Sequence, residues 1–221
     1  MRTQFRDRSE AGELLAEQLT SYANKPNVIV LALPRGGVPV GAPVARKLNA
    51  LLDVFVVRKL GLPGHPELAM GAIATGGVRV LNGDVVDSLR ISDEVIEAVT
   101  ANEQRELERR ERAYRDDLPP PEVAGKTVII VDDGVATGST MVAAIAALRQ
   151  LGAGRVVVAA PTIARSTYDY LRKAADDVVA VTVPKEFYGV GQWYEDFSQT
   201  TDEEVHQLLG EANHRVTPAA V

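Results

Sequence analysis

Two adjacent carboxylates, Asp132 and Asp133, stand about four residues ahead of the cluster Thr137-Gly138-Ser139-Thr140, a spacing that could hold a sugar phosphate by both of its ends. Ionised carboxylates only accept hydrogen bonds, so the pair suits the two donating hydroxyls of a cis-diol. The hydroxyls and backbone N–H groups that follow lead into an Ala-rich helical pattern, Met141 to Leu151, and a helix N-terminus opened by a glycine is a cradle for an anion. Together these features predict a ribose 5-phosphate site. The alternative is a strand-to-helix turn whose Asp and Thr residues serve as caps alone.

Other residues could complete such chemistry. Arg35-Gly36-Gly37 joins a permanent forked cation to two glycines around which a backbone can fold tightly, and diphosphate is the ligand it suits. An ordinary Gly-Gly turn before a helix is the competing reading. Arg58-Lys59 is a cationic pair followed by a polar loop rich in Gly and Pro that carries His65 and Glu67. Near the end of the chain, five aromatics fall between Phe187 and Phe197, suited either to stacking on a planar ring or to a small satellite core.

These groups need a scaffold that brings them to one edge. Val128 to Val131 is a run of β-branched apolar residues, read as a strand buried on both faces. Strand patterns also cover Val28 to Leu33, Asp53 to Arg58, Arg155 to Pro161 and Val178 to Val183, alternating with helical patterns at Ser9 to Tyr22, Val38 to Leu48, Thr140 onward, Ser166 to Ala175 and Asp202 to Leu209. Such alternation predicts an α/β fold with a parallel sheet, whose ligands sit at the C-terminal ends of the strands. Leu68 to Ala74 and Val78 to Leu81 flank Thr75-Gly76-Gly77 and predict a hairpin. Arg35, Arg58, Lys59, Asp132 and Asp133 are all expected at C-terminal strand ends of one sheet.

Composition narrows the function classes. With 221 residues, 46% of them hydrophobic, the chain suits one soluble domain burying roughly 70% of its unfolded surface. No apolar run approaches the ~18 residues of a membrane span, and the charged stretch Met1 to Glu10 lacks the apolar core of a secretion signal, so a cytoplasmic location is expected. The absence of cysteine excludes disulfides and thiolate catalysis. A net charge of −6 argues against a nucleic-acid footprint, which needs clustered Lys and Arg.

The run Val128-Ile129-Ile130-Val131-Asp132-Asp133-Gly134-Val135-Ala136-Thr137-Gly138-Ser139-Thr140 resembles the signature of the type I phosphoribosyltransferases. That resemblance implies their Rossmann-like fold, a hairpin or lid, a small C-terminal hood and transfer of 5-phosphoribosyl from 5-phosphoribosyl 1-diphosphate to a nitrogenous, nucleobase-like acceptor with release of diphosphate. It implies that Asp132, Asp133, Ala136, Thr137, Gly138, Ser139 and Thr140 bind the ribose and its 5-phosphate. Arg35, Gly36 and Gly37 match the family's diphosphate loop, with a non-proline cis peptide at Pro34-Arg35, and Arg58 and Lys59 match the cations that neutralise the departing diphosphate. Magnesium is the implied cofactor, held indirectly through substrate and water near Asp132 and Asp133.

The chain departs from the family at Ala136, where the 6-oxopurine transferases carry an aspartate that contacts the base. The acceptor is therefore sought in the hood, about 184–200, with Lys185, Phe187 and Trp193 as its candidate contacts. A regulatory module of the same fold, binding phosphoribosyl diphosphate or a nucleotide without turnover, is the alternative function. Residues 1–221 are read as one domain with a helical insertion at about 82–121, built on a long charged helix from Ser92 to Arg115 and ending in the linker Asp117-Leu118-Pro119-Pro120-Pro121. Val95, Ile96 and Val99 on one side of that helix suggest that it forms a homodimer surface or overhangs the site.

Overall fold

The structure is a computed structural model that describes residues 4–116 and 118–213, with Pro66 by its backbone alone. Asp117 of the expected linker and Met1, Arg2 and Thr3 of the charged N-terminus lie outside the described residues. Five parallel strands form the main sheet in the order β2-β1-β6-β7-β8: β1 is Val28–Ala32, β2 Leu51–Val54, β6 Thr127–Val131, β7 Arg155–Thr162 and β8 Asp177–Thr182. Helices α1 (Arg8–Gln18), α2 (Gly37–Leu48), α5 (Ser139–Gln150), α6 (Arg165–Ala174) and α7 (Asp202–Asn213) complete the layers.

Period-two alternation divides the sheet between two cores. Val30 and Ala32 of β1 join Ile129 and Val131 of β6 in one apolar cluster, whereas Ile29 and Leu31 join Val128 and Ile130 in the other. Both faces of the central strands are thus dry, as their β-branched composition requires. Polar chemistry is thereby left to the ends of these strands, and parallel α/β sheets place their ligands at the C-terminal ends.

One expected strand divides. The apolar run Asp53 to Arg58 supplies the end of β2 and, after a break at Phe55 and Val56, the start of β3 (Val57–Leu62). Strand β3 pairs antiparallel with β4 (His65–Ala74), which pairs with β5 (Val78–Leu81). The N–H of Phe55 still donates to the Ala32 carbonyl at 2.9 Å, but that of Val56 donates to Thr75 Oγ1 at 2.9 Å, so the chain changes sheets between these two residues. Arg58 and Lys59 consequently lie within a three-stranded antiparallel arm, not at the C-terminal end of a core strand. The expected Thr75-Gly76-Gly77 turn is present, with both glycines at positive φ.

The insertion contains a short helix, α3 (Gly83–Ser88), and the long helix α4 (Asp93–Arg115). Its apolar side is used within the chain: Ile96 is buried and Val99 packs against the same cluster as α2 and α7. Ion pairs at i,i+4 form along it, Glu106–Arg110 and Glu111–Arg115, while Glu108 accepts from Gln104. At the C-terminal end of α4, the buried Arg115 approaches Asp53 Oδ2 at 3.7 Å. Burial pushes the Asp53 carboxyl up to about 6, against the pull of Arg115 and the Val54 N–H.

That shift has a measurable sign. The folded protein holds the Asp53 proton more tightly than the unfolded chain, so this carboxyl erodes stability as pH rises from the ordinary carboxylate value near 4 to about 6. Asp53→Asn should remove that part of the decline, read as a flatter dependence of the thermal midpoint on pH in that interval. A midpoint that declines as steeply as in the unmodified protein would refute the assignment.

Candidate active site

At the end of β6 the chain turns sharply into α5. The loop stays registered on β7 through Val135, whose N–H donates to the Thr162 carbonyl at 2.9 Å and whose carbonyl accepts from Ala164 N–H at 3.0 Å. Thr167 of α6 donates its hydroxyl to the Ala136 carbonyl, which fixes the floor of the loop. Gly138 then takes a left-handed conformation, φ 76°, as the N-cap of α5, and no side chain caps the helix. Residues 136, 137 and 139 are exposed around it. An uncapped helix N-terminus has N–H groups to offer an anion together with its positive end.

Asp132 and Asp133 share the other end of this loop. The Asp133 N–H donates to Asp132 Oδ1 at 2.9 Å, and removal from water together with the charge of Asp133 pushes the Asp132 carboxyl well above the ordinary range. Burial pushes Asp133 upward as well, and the Arg8 guanidinium pulls it back. Arg8 Nε donates to Asp133 Oδ2 at 2.8 Å, both side chains being largely enclosed. The sequence gives no local signal for this pair, whose members lie 125 positions apart.

Gly36 and Gly37 are required by close approach rather than by unusual dihedrals. A Cβ at Gly36 would collide with the Asp133 carboxylate, and one at Gly37 would stand 2.6 Å from the Val131 carbonyl oxygen. The diphosphate-loop candidate is therefore packed directly on the ribose-loop candidate. The Pro34-Arg35 peptide is cis, as expected. Arg35 itself reaches Asp202 at the start of α7, at 3.5 Å.

The structure does not bring Arg58 and Lys59 onto the carboxylates. Arg58 is held by Glu103 of α4 at 2.6 Å, Lys59 is exposed, and both border a cleft between the arm and α4. His65 and Glu67 are exposed on β4, where Pro63 and Gly64 form a hairpin turn instead of an extended lid loop. The insertion helix thus borders the cleft of the arm through Glu103, while its Ile96 and Val99 pack within the chain.

The hood forms from both ends of the chain. Phe5 N–H donates to the Trp193 carbonyl and Glu195 N–H to the Phe5 carbonyl, each at 2.8 Å. Phe5, Ala11 and Tyr194 make a small buried core, and Val190 lies against Gly134. The aromatic cluster therefore divides its labour: Tyr194 is core, with its hydroxyl donating to the Asp133 carbonyl, while Phe187 and Trp193 are half-buried with ring centroids 6.0 Å apart. Burial, then the nearby Asp133 charge, holds the Tyr194 phenol protonated. Lys185 is exposed.

The family model of the phosphoribosyl transferase domain matches residues 4–196. The chain belongs to the phosphoribosyltransferase family. A Mycobacterium tuberculosis protein provisionally named a phosphoribosyl transferase is 45% identical over 95% of this chain, and the match covers 47% of that relative, so the chain spans about half the length of the curated relatives it matches. The crystal structure of TT1426 from Thermus thermophilus superposes with a TM-score of 0.83 at 44% identity, covering 94% of this chain and 98% of the other. A ribose-phosphate pyrophosphokinase of Pyrococcus furiosus is 46% identical over 66 residues, which are 28% of this chain and 24% of that enzyme. As a member of the phosphoribosyltransferase family, the chain has the expected α/β architecture. Among the described residues no helix is long and apolar enough to cross a membrane.

Proposed function

We propose that residues 1–221 form one transferase unit that moves 5-phosphoribosyl from 5-phosphoribosyl 1-diphosphate to a nitrogenous, nucleobase-like acceptor and releases diphosphate. The observation that carries this reading is the pairing of an uncapped, Gly138-opened helix with two carboxylates at the other end of the same loop, against which Gly36 and Gly37 are packed. Asp132 and Asp133 accept the ribose hydroxyls, and the backbone of residues 136–140 with the hydroxyls of Thr137, Ser139 and Thr140 takes the 5-phosphate. Arg35 and the Gly36-Gly37 backbone take the diphosphate. Arg58 and Lys59 join it when the arm approaches the sheet, which requires Arg58 to leave Glu103. Diphosphate departs as positive charge develops at the anomeric carbon, so charge stabilisation and positioning supply the catalysis.

The donor set is compatible with magnesium brought in on the substrate. Among the described residues no group of three or more His, Cys, Asp or Glu could hold a metal ion, whereas magnesium commonly binds through one or two carboxylates plus substrate phosphates and water. When bound, it would neutralise diphosphate charge. Asp132 and Asp133 would hold it indirectly, through the ribose hydroxyls and water.

Phe187 and Trp193 are the proposed acceptor platform, with Lys185 at its edge. The indole N–H of Trp193 is buried without a hydrogen-bond partner among the described residues, a donor that an acceptor carbonyl or ring nitrogen could satisfy. A regulatory binding module is a second reading, favoured by the engagement of Arg58 with Glu103. Incubation with phosphoribosyl diphosphate, magnesium and a panel of bases should yield diphosphate and one nucleotide in equal amounts. Binding without diphosphate release would favour the module, and no binding at all would sink both readings.

A further inference from the structure

We propose that Arg8 is a positioning residue of the donor site, holding the Asp133 carboxylate for the ribose hydroxyls and fastening the hood over it. This inference rests on the phosphoribosyl reading above. Its first support is the placement of the Arg8 backbone. Arg8 is the first residue of α1, whose N-cap Asp7 accepts the Glu10 N–H at 2.8 Å, and Ala11, Leu15 and Ala16 of that helix are buried. The guanidinium therefore springs from a fixed support.

Its second support is that one planar group makes several oriented contacts at once. Arg8 Nε donates to Asp133 Oδ2 at 2.8 Å and Nη1 donates to the Ser198 carbonyl at 2.7 Å. The guanidinium carbon lies 4.0 Å from the centroid of the Phe197 ring and 5.9 Å from that of Tyr194. Donor carboxylate, hood backbone and hood aromatics thus meet on a single side chain. A lysine has no rigid fork with which to reproduce this set.

The third support is charge. Asp132 and Asp133 are adjacent and removed from water, an arrangement that disfavours the acceptor-only state a diol requires. The groups facing Asp133 are Asp132 from its own loop, Arg8 from α1 and the Tyr194 phenol from the hood, while the diphosphate loop contributes the backbone of Gly36 and its Arg35 turns to Asp202. Arg8 is the cation in this set and lowers the proton affinity of both carboxyls. It occupies one oxygen of Asp133, and a carboxylate retains further lone pairs for a hydroxyl.

The test compares the full chain with Arg8→Gln and Arg8→Lys, using calorimetry of phosphoribosyl diphosphate binding with magnesium from pH 5 to 8, donor KM and kcat, and acrylamide quenching of Trp193, the single tryptophan. Arg8→Gln should weaken donor binding by about tenfold at neutral pH, as expected for a lost charged hydrogen bond, raise donor KM more than it lowers kcat, and move the acid limb of binding to higher pH. Arg8→Lys should keep the limb near its original position while making Trp193 easier to quench. Wild-type binding with an unchanged limb and affinity in Arg8→Gln would overturn the role of Arg8 alone; absence of donor binding by the wild-type protein would overturn the functional reading beneath it. Should Arg8→Gln not fold, Arg8→Lys decides, and unchanged quenching together with unchanged donor affinity would reject the proposal.

Discussion

Replacing Asp132 and Asp133 together with asparagine is expected to lower phosphoribosyl transfer by at least about a hundredfold, since each carboxylate offers a charge-assisted hydrogen bond of roughly 1.5–3 kcal/mol to a ribose hydroxyl. The far-ultraviolet spectrum should stay unchanged, because the loop is fixed by Val135 on β7 and by Thr167 rather than by the carboxylates. Turnover that survives the double substitution would remove these residues from the mechanism.

The single substitutions should move stability by different amounts. Asp132 is desolvated and repelled by its neighbour, so its folded-state pKa lies above the unfolded one, and its contribution to stability is lost as pH rises from the unfolded value through the folded one. At neutral pH Asp132→Asn should therefore raise the thermal midpoint. Asp133→Asn should raise it less, because the desolvation that also lifts the Asp133 carboxyl is partly offset by Arg8, which would lose its counter-charge. Equal midpoints for the two variants would contradict this division.

The second large effect concerns Gly36 and Gly37, neighbours whose substitution by alanine should fail for different reasons. The Gly37 Cβ would meet backbone, 2.6 Å from the Val131 carbonyl oxygen and 3.1 Å from Asp132 Cα, and the end of a central strand cannot step aside. Gly37→Ala should cost about 1–3 kcal/mol of folding free energy, the usual range for overpacking. The Gly36 Cβ would instead meet the Asp133 carboxylate, a side-chain terminus that can swing away. Gly36→Ala should thus retain most of its stability and lose donor affinity, as measured by urea unfolding beside calorimetry. A Gly37→Ala protein as stable as the parent would show that the two loops are not packed so closely.

Much of this was legible in the sequence because the informative signals were local. The Val128 to Thr140 run specifies its own strand, turn and helix start, and Thr75-Gly76-Gly77 specifies its own hairpin. The error at Arg58 has a physical origin. Val54, Phe55 and Val56 are all buried, so the apolar pattern continues unbroken through the place where the chain exchanges one sheet for another, and hydropathy carries no mark of the change. Arg8 was missed for the opposite reason: among Arg6, Asp7 and Glu10 it reads as solvated charge, and its value comes from a partner across the fold. Tyr194 belongs to an aromatic run that suits either a stacking surface or a small core, and its packing on Phe5 separates it from Phe187 and Trp193.

The two-ended hood also bears on the order of folding. Its contacts join positions as distant as Gln4 and Gln192, 188 residues apart, and such long closures pay their chain entropy late. During synthesis the strand and loop bearing Asp132 and Asp133 emerge well before Tyr194 and Ser198, so the acidic pair must pass through an interval in which Arg8 has a helix to stand on but no hood to grip. Completion of the site is therefore tied to the arrival of the segment from Val190 to Ser198, and a ribosome-stalled fragment ending before Val190 should present the carboxylates without the hood that encloses them.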